Sequence, residues 1–144
     1  RAIESKAEVV SKDERESGLR KILNFGHTLG HAVEAALEYA LPHGSCVALG
    51  MVLEARLGER LGITRTGTSD ILARMASLLN LPTELPPGLG AKTVLNFTRS
   101  DKKGRAGRPR YVFLSHPGKV AETEDWAREV PDEIVLEVLL EAGG

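Results

Sequence analysis

The stretch NFGHTLGHAVEAALEYALPHG, Asn24 to Gly44, holds three of the four histidines in the chain, two of them four residues apart. Its periodicity is helical, yet glycines stand at positions 26 and 30. Each glycine costs about 1 kcal/mol relative to alanine inside a helix. On a wheel of about 100° per residue, Ile22, Phe25, Leu29, Val33 and Ala36 share one side, with Leu23, Ala32 and Leu37 extending it. Arg20, Asn24, His27 and His31 fall opposite, within an arc of about 60°. The pattern predicts one long helix from about Leu19 to Leu41, halted by Pro42.

A polar stripe opposite a core stripe ordinarily faces water. Solvated faces, however, favour strong helix formers such as Glu, Lys and Gln. This one offers Asn and two histidines, beside two glycines that let another backbone or a ligand come close. Imidazole is a common zinc ligand, and histidines at i and i+4 stand about 5–6 Å apart at Cβ. Arg20 can present a planar fork of donors to phosphate or carboxylate. His43 follows Pro42, opens the next helical segment and can turn back toward the same face. The chemistry of the stripe therefore fits a metal or phosphate site. Spacing alone does not say which two histidines would share an ion, although it invites the pair His27 and His31.

Outward from this stretch, Ala2 to Lys12 is helix-compatible and DERESG ending at Gly18 reads as a turn. Helices are expected over about His43–Leu61, Asp70–Leu79 (with capping residues in TGTSD) and Ala91–Arg99. LPTELPPGLG, between the last two, is a proline-rich break. SDKKGRAGRPR reads as a basic surface loop. RYVFLSHPGKVAET carries the one β signal, two short strands joined around Pro117–Gly118. Pro131, followed by acids, suits the start of a final helix. The expected fold is mainly α: one multi-helix domain, residues 1–144, with a small β-hairpin near the C-terminus.

At 144 residues and 42% hydrophobic composition, the chain can bury one real core. The net charge of -1 gives no electrostatic case for nucleic acid or an anionic membrane. No apolar run is long enough to cross a bilayer. The single cysteine, Cys46, has no partner for an internal disulfide, which fits a reducing, cytoplasmic setting. The chain starts without Met, inside a helix-compatible segment, and reads as part of something longer.

KAEVVSKDERESGLRKILNFGHTLGHAVE, then HGSCVALGM, then DKKGRAGRPRYVFL, in this order, closely resembles the C-terminal half of 3-dehydroquinate synthase. The resemblance implies NAD and a divalent metal, zinc by preference with cobalt as the alternative. It implies conversion of 3-deoxy-D-arabino-heptulosonate 7-phosphate to 3-dehydroquinate and phosphate in the shikimate pathway of aromatic amino acid biosynthesis. The implied steps are transient oxidation of a ring hydroxyl, phosphate elimination, re-reduction, ring opening and aldol closure. Carried over, His27 and His43 match the metal-binding histidines, which corrects the pair that spacing suggests. His31 matches a histidine that supports proton transfer or phosphate contact. Arg20, Asn24 and Lys6 match substrate-contacting positions, with Asn24 and Lys6 joining His31 as catalytic residues. One of Lys102 and Lys103 matches a further substrate lysine. His116 matches nothing in these motifs and is taken as a surface residue.

The family's N-terminal α/β domain, which binds most of the NAD and supplies a glutamate as third metal ligand, has no counterpart in these residues. There is no glycine-rich dinucleotide fingerprint, and two protein ligands should hold metal weakly. The chain alone is therefore expected to be inactive, with apolar surface left where that domain would pack. Ser45 stands where the family usually has Glu in HGE. Homodimerisation is implied by the family alone. Two other readings remain: a related sugar-phosphate cyclase such as 2-deoxy-scyllo-inosose synthase, and an inactive helical assembly module.

Overall fold

The computed structural model describes residues 19–100, 109–122 and 126–143, apart from the side chains of residues 19–21 and 100. Among them lie five α-helices: α1 (His27–Ala36), α2 (His43–Arg60), α3 (Thr68–Leu78), α4 (Ala91–Ser100) and α5 (Asp132–Glu141). A six-residue 3-10 turn, Leu19–Asn24, precedes α1. Four short strands follow α4: β1 (Arg110–Tyr111), β2 (Leu114–His116), β3 (Lys119–Val120) and β4 (Arg128–Glu129). The fold is mainly α, as the periodicity predicts. The hairpin around Pro117–Gly118 is the antiparallel pair β2–β3. A second antiparallel ribbon, β1 with β4, was not expected; it pairs Arg110 with Glu129 and Tyr111 with Arg128.

The long helix expected over Leu19–Leu41 is not continuous. Gly26 adopts φ +85°, a left-handed conformation that suits glycine, and separates the 3-10 turn from α1. The helix also stops well before Pro42, with Glu38 and Tyr39 both at positive φ. The line that the wheel drew through Arg20, Asn24, His27 and His31 assumed an unbroken helix, which the turn at Gly26 interrupts.

α2 is the central element. Its residues Cys46, Leu49, Val52, Leu53, Ala55 and Leu57 are all buried, so it has little solvated face. α1 packs along it with Leu29, Ala32 and Val33; α4 contributes Val94, and α5 contributes Val135, Val138 and Leu139. Tyr111 and Phe113, stacked with ring centroids 6.3 Å apart, close the core from the strand side. The proline-rich break is pinned at both flanks. Leu85 and Leu89 are buried, and the Leu85 N–H donates to the Ala142 carbonyl at 2.9 Å.

The glycines in the opening stretch serve a backbone-to-backbone seam. A Cβ at Gly50 would lie 2.0 Å from the Gly26 carbonyl oxygen and 2.7 Å from the Gly30 nitrogen. A Cβ at Gly30 would meet the Cys46 carbonyl and the Val47 Cα, each at 3.0 Å. α1 and α2 thus touch through their main chains, so of the two alternatives it is another backbone that comes close.

The start of α1 is held by a residue 25 to 28 positions further along. Glu54, fully buried in α2, accepts the Gly26 N–H at 2.6 Å and the Leu29 N–H at 2.9 Å. Those donors have no intrahelical partner, and no side chain at the N-cap serves them. α3 begins the same way. Gly67 at φ +97° is its N-cap, and Glu59 of α2 accepts the N–H groups of Gly67 and Ser69 at 2.7 and 3.1 Å. The capping residues expected in TGTSD give way to this longer-range carboxylate.

Burial pushes the Glu54 carboxyl up to about 8, although the N–H groups of Leu29, Gly26 and Thr28 pull it down. An unfolded glutamate titrates near 4.5. Between these values the folded state holds the extra proton, so this group's stabilising contribution is full below 4.5 and fades as pH rises through 8. In Glu54→Gln an NH2 would face an N–H donor. Wild type should exceed this variant by about 2 kcal/mol near pH 5 in denaturant unfolding, with the gap narrowing as the pH approaches and passes 8. At the seam, Gly50→Ala should cost about 3 kcal/mol or more, because backbone atoms must move. Gly44→Ala, with nothing within 4 Å, should be neutral or stabilising by up to about 1 kcal/mol in the same assay.

Candidate metal centre

Both helices of the seam begin with a histidine: His27 opens α1 and His43 opens α2 directly after Pro42. His31 lies one turn along α1 from His27, so both project from one face. The connection through residues 37–42 brings His43 back over that face. Ring centroids stand 5.2 Å apart for His27–His31, 5.8 Å for His27–His43 and 5.6 Å for His31–His43. One ligand nitrogen from each ring lies within 4.8 Å of the other two. His27 and His31 are half-buried and His43 is exposed.

The hydrogen bonds sort the ring nitrogens. His27 Nδ1 lies 3.3 Å from the Phe25 carbonyl oxygen, an acceptor, so it is the proton-bearing nitrogen in that contact. His43 Nδ1 lies 3.2 and 3.3 Å from the two carboxylate oxygens of Glu34. In both rings Nε2 is left with its lone pair for an ion. Metal-binding histidines characteristically give their other nitrogen to a carbonyl or carboxylate in this way. Three converging imidazoles, two of them so oriented, fit a borderline divalent cation such as zinc or cobalt.

The structure thus brings His27, His31 and His43 together. Asn24 is exposed at the end of the 3-10 turn. Arg20 lies in the same turn, its side chain outside the described residues, as are Lys6, Lys102 and Lys103. Ser45 is half-buried and lines a separate open cleft with Leu41, Asn80, Leu81 and Pro82; none of the three histidines lines it. His116 is half-buried rather than freely exposed, with Nδ1 3.0 Å from the Pro117 carbonyl oxygen.

Two residues escaped the sequence reading. Glu34 stands seven residues from His27 and three from His31, on the same helical face, a spacing that could have flagged it. Glu54 showed only as one of two acids, with Glu59, within a mostly apolar helical pattern. It fixes the turn from which His27 projects. The Tyr111 hydroxyl is buried without a hydrogen-bond partner. Burial, with the Glu54 charge second, raises its pKa well above the ordinary phenol value.

A model of the 3-dehydroquinate synthase C-terminal family matches residues 1–104. The 3-dehydroquinate synthase of Symbiobacterium thermophilum is 48% identical over 121 residues, which is 83% of this chain and 34% of that protein. The chain spans about a third of the length of the curated relatives it matches. Among solved structures, 2-deoxy-scyllo-inosose synthase complexed with carbaglucose-6-phosphate, NAD+ and Co2+ gives a TM-score of 0.84 at 24% identity, covering 97% of this chain and 40% of that one. The 2-epi-5-epi-valiolone synthase of Streptomyces hygroscopicus subsp. jinggangensis, with NAD+ and Zn2+ bound, gives 0.78 at 22% identity, covering 99% and 38%. At these identities the two likenesses are of fold.

In the full-length polypeptide that carries these residues, zinc should bind in a chelator-competition titration. His27→Ala and His43→Ala should each weaken it by about 100-fold or more, the loss expected when a ligand is removed. His31→Ala should weaken it by less than tenfold. Equal losses at all three positions would instead make His31 a full ligand.

Proposed function

The chain belongs to the 3-dehydroquinate synthase family by its C-terminal domain, and from that premise we propose that it is the metal- and substrate-binding part of a 3-dehydroquinate synthase. The observation that carries the reading is the convergence of His27, His31 and His43, with Nδ1 of His27 and His43 each turned to an oxygen acceptor. The reaction proposed is conversion of 3-deoxy-D-arabino-heptulosonate 7-phosphate to 3-dehydroquinate and phosphate. It is a lyase reaction of the shikimate pathway, in the cytoplasm.

In this reading His27 and His43 hold a divalent metal, zinc or cobalt, through Nε2. Bound there, the metal would polarise a substrate oxygen and ease loss of a neighbouring proton. NAD, held mainly by an N-terminal α/β domain outside this chain, would supply the transient oxidation that acidifies that proton. The chain's own residues bind, orient and move protons. Arg20 offers a bidentate fork to the substrate's phosphate or carboxylate. Lys6 and one of Lys102 and Lys103 add positive charge around the anionic groups. Asn24 can donate to or accept from a ring hydroxyl. His31, close to both metal-binding rings but outside the ligand pair, is the group for proton transfer or phosphate contact. A homodimer is part of the same proposal, on family grounds alone.

Similarity to a named 3-dehydroquinate synthase over most of this chain supports this reading above the sugar-phosphate cyclases, whose likeness is of fold. The test is product analysis on the full-length protein with NAD and zinc. With the heptulosonate phosphate it should release inorganic phosphate and 3-dehydroquinate. His31→Ala should retain zinc while kcat falls by about 100-fold or more, as expected for loss of a general acid–base group. A carbocycle made from glucose 6-phosphate, with no 3-dehydroquinate, would overturn the assignment. Absence of any turnover despite bound zinc and NAD would favour the inactive assembly module.

A further inference from the structure

The two proposed metal-binding histidines are supported in different ways. His27 Nδ1 turns to a main-chain carbonyl two residues away, a contact no side-chain substitution removes. His43 Nδ1 has a side-chain partner instead, the Glu34 carboxylate, reached across from the other helix of the seam. The pair is unequally exposed: the Glu34 side chain is 15% accessible and the His43 side chain 55%. A sheltered carboxylate on one helix therefore steadies an open imidazole on the first residue of another. The Glu34 oxygens contact Nδ1 of the ring and are not part of the group of three histidines that converges within 4.8 Å, which leaves Nε2 of His43 as the nitrogen for an ion.

We propose that Glu34 is the positioning residue of this centre: it fixes the Nδ1–H tautomer and the rotation of His43, presents Nε2 to the metal, and so sets metal affinity. This rests on the functional reading above. A free neutral imidazole in water favours the opposite tautomer, so without Glu34 the proton moves to Nε2 and must shift before an ion can bind. The carboxylate also makes the ring a better donor to the metal. Among the described residues, Glu34 is the acid within hydrogen-bond reach of His43.

The experiment uses the full-length protein and two variants, Glu34→Ala and Glu34→Gln, with His43→Ala as reference. Ring-nitrogen NMR of the 15N-histidine-labelled apoprotein, at a pH where the imidazole is neutral, reads the tautomer without any metal. Wild type and Glu34→Gln, whose amide oxygen still accepts, should carry the His43 proton on Nδ1; Glu34→Ala should move it to Nε2. The zinc dissociation constant should rise about 10- to 100-fold in Glu34→Ala and less in Glu34→Gln. Denaturant unfolding of the two apoproteins should differ far less than their zinc affinities. If Glu34→Ala does not fold, the wild-type spectrum decides alone, since a His43 proton on Nε2 there overturns the proposal. A wild type that takes up no zinc sinks the functional reading and this one with it. A wild type that binds zinc, loses it in His43→Ala and keeps full affinity in Glu34→Ala sinks only the role of Glu34.

Discussion

A buried carboxylate at the start of α1 underlies the rest of the arrangement. The first N–H groups of any helix lack intrahelical partners, and a buried helix start must find acceptors for them. Here Glu54 comes from the middle of α2 to accept them, and it must be dry because the two helices touch through their main chains. Its desolvation outweighs the favourable N–H groups, which is why its carboxyl is pushed up to about 8. With this acceptor in place, Gly26 can turn at φ +85° and His27 can start the helix without a local cap. Glu59 repeats the device at α3, so α2 supplies acceptors to the helix before it and the helix after it.

The histidine cluster inherits its geometry from this seam. His27 and His43 are each the first residue of a helix, and those helices are locked at main-chain contact by Gly26, Gly30 and Gly50. Helix-borne ligands are held more tightly than loop-borne ones. On α3, Ile71, Met75 and Leu78 follow helical spacing and are exposed, with Leu79 just beyond. Leu78 and Leu79 are 79% and 69% accessible, too open to belong to the core of this chain.

The helical character, the hairpin and the histidine cluster were legible because each has a short-range signature: a period, a Pro-Gly turn, a motif in order. The glycines were legible as anomalies. That they serve a backbone contact was not, because the partner, Gly50, lies twenty residues beyond Gly30. The break at Gly26 was missed for a related reason. Hydrophobic periodicity runs through Ile22, Phe25 and Leu29 as though the helix were continuous, while Phe25 in fact packs in a second cluster with Ala55, Val112, Leu114 and Ala127. Spacing alone favoured His27 with His31, which is the closest ring pair at 5.2 Å, and the fold adds His43 at 5.8 and 5.6 Å from them. Glu54 acts across 25 or more residues, beyond any local pattern, whereas Glu34 shares the helical face of His27 and His31 and was overlooked although its spacing could have flagged it. The positions Lys6, Lys102 and Lys103 fall outside the described residues.

Cys46 adds a property of its own to the seam. It is the chain's one cysteine, fully buried, with its backbone carbonyl against Gly30. Burial first, and the Glu34 charge second, raise its thiol's pKa, so the closed form offers little thiolate to a reagent. Separation of α1 from α2 would expose that sulfur. Its alkylation rate therefore clocks the opening of the two helices that carry the histidines, and converts to a local opening free energy where reclosing outpaces labelling. The molecule carries an intrinsic gauge of how often its own centre comes apart, with no label to introduce.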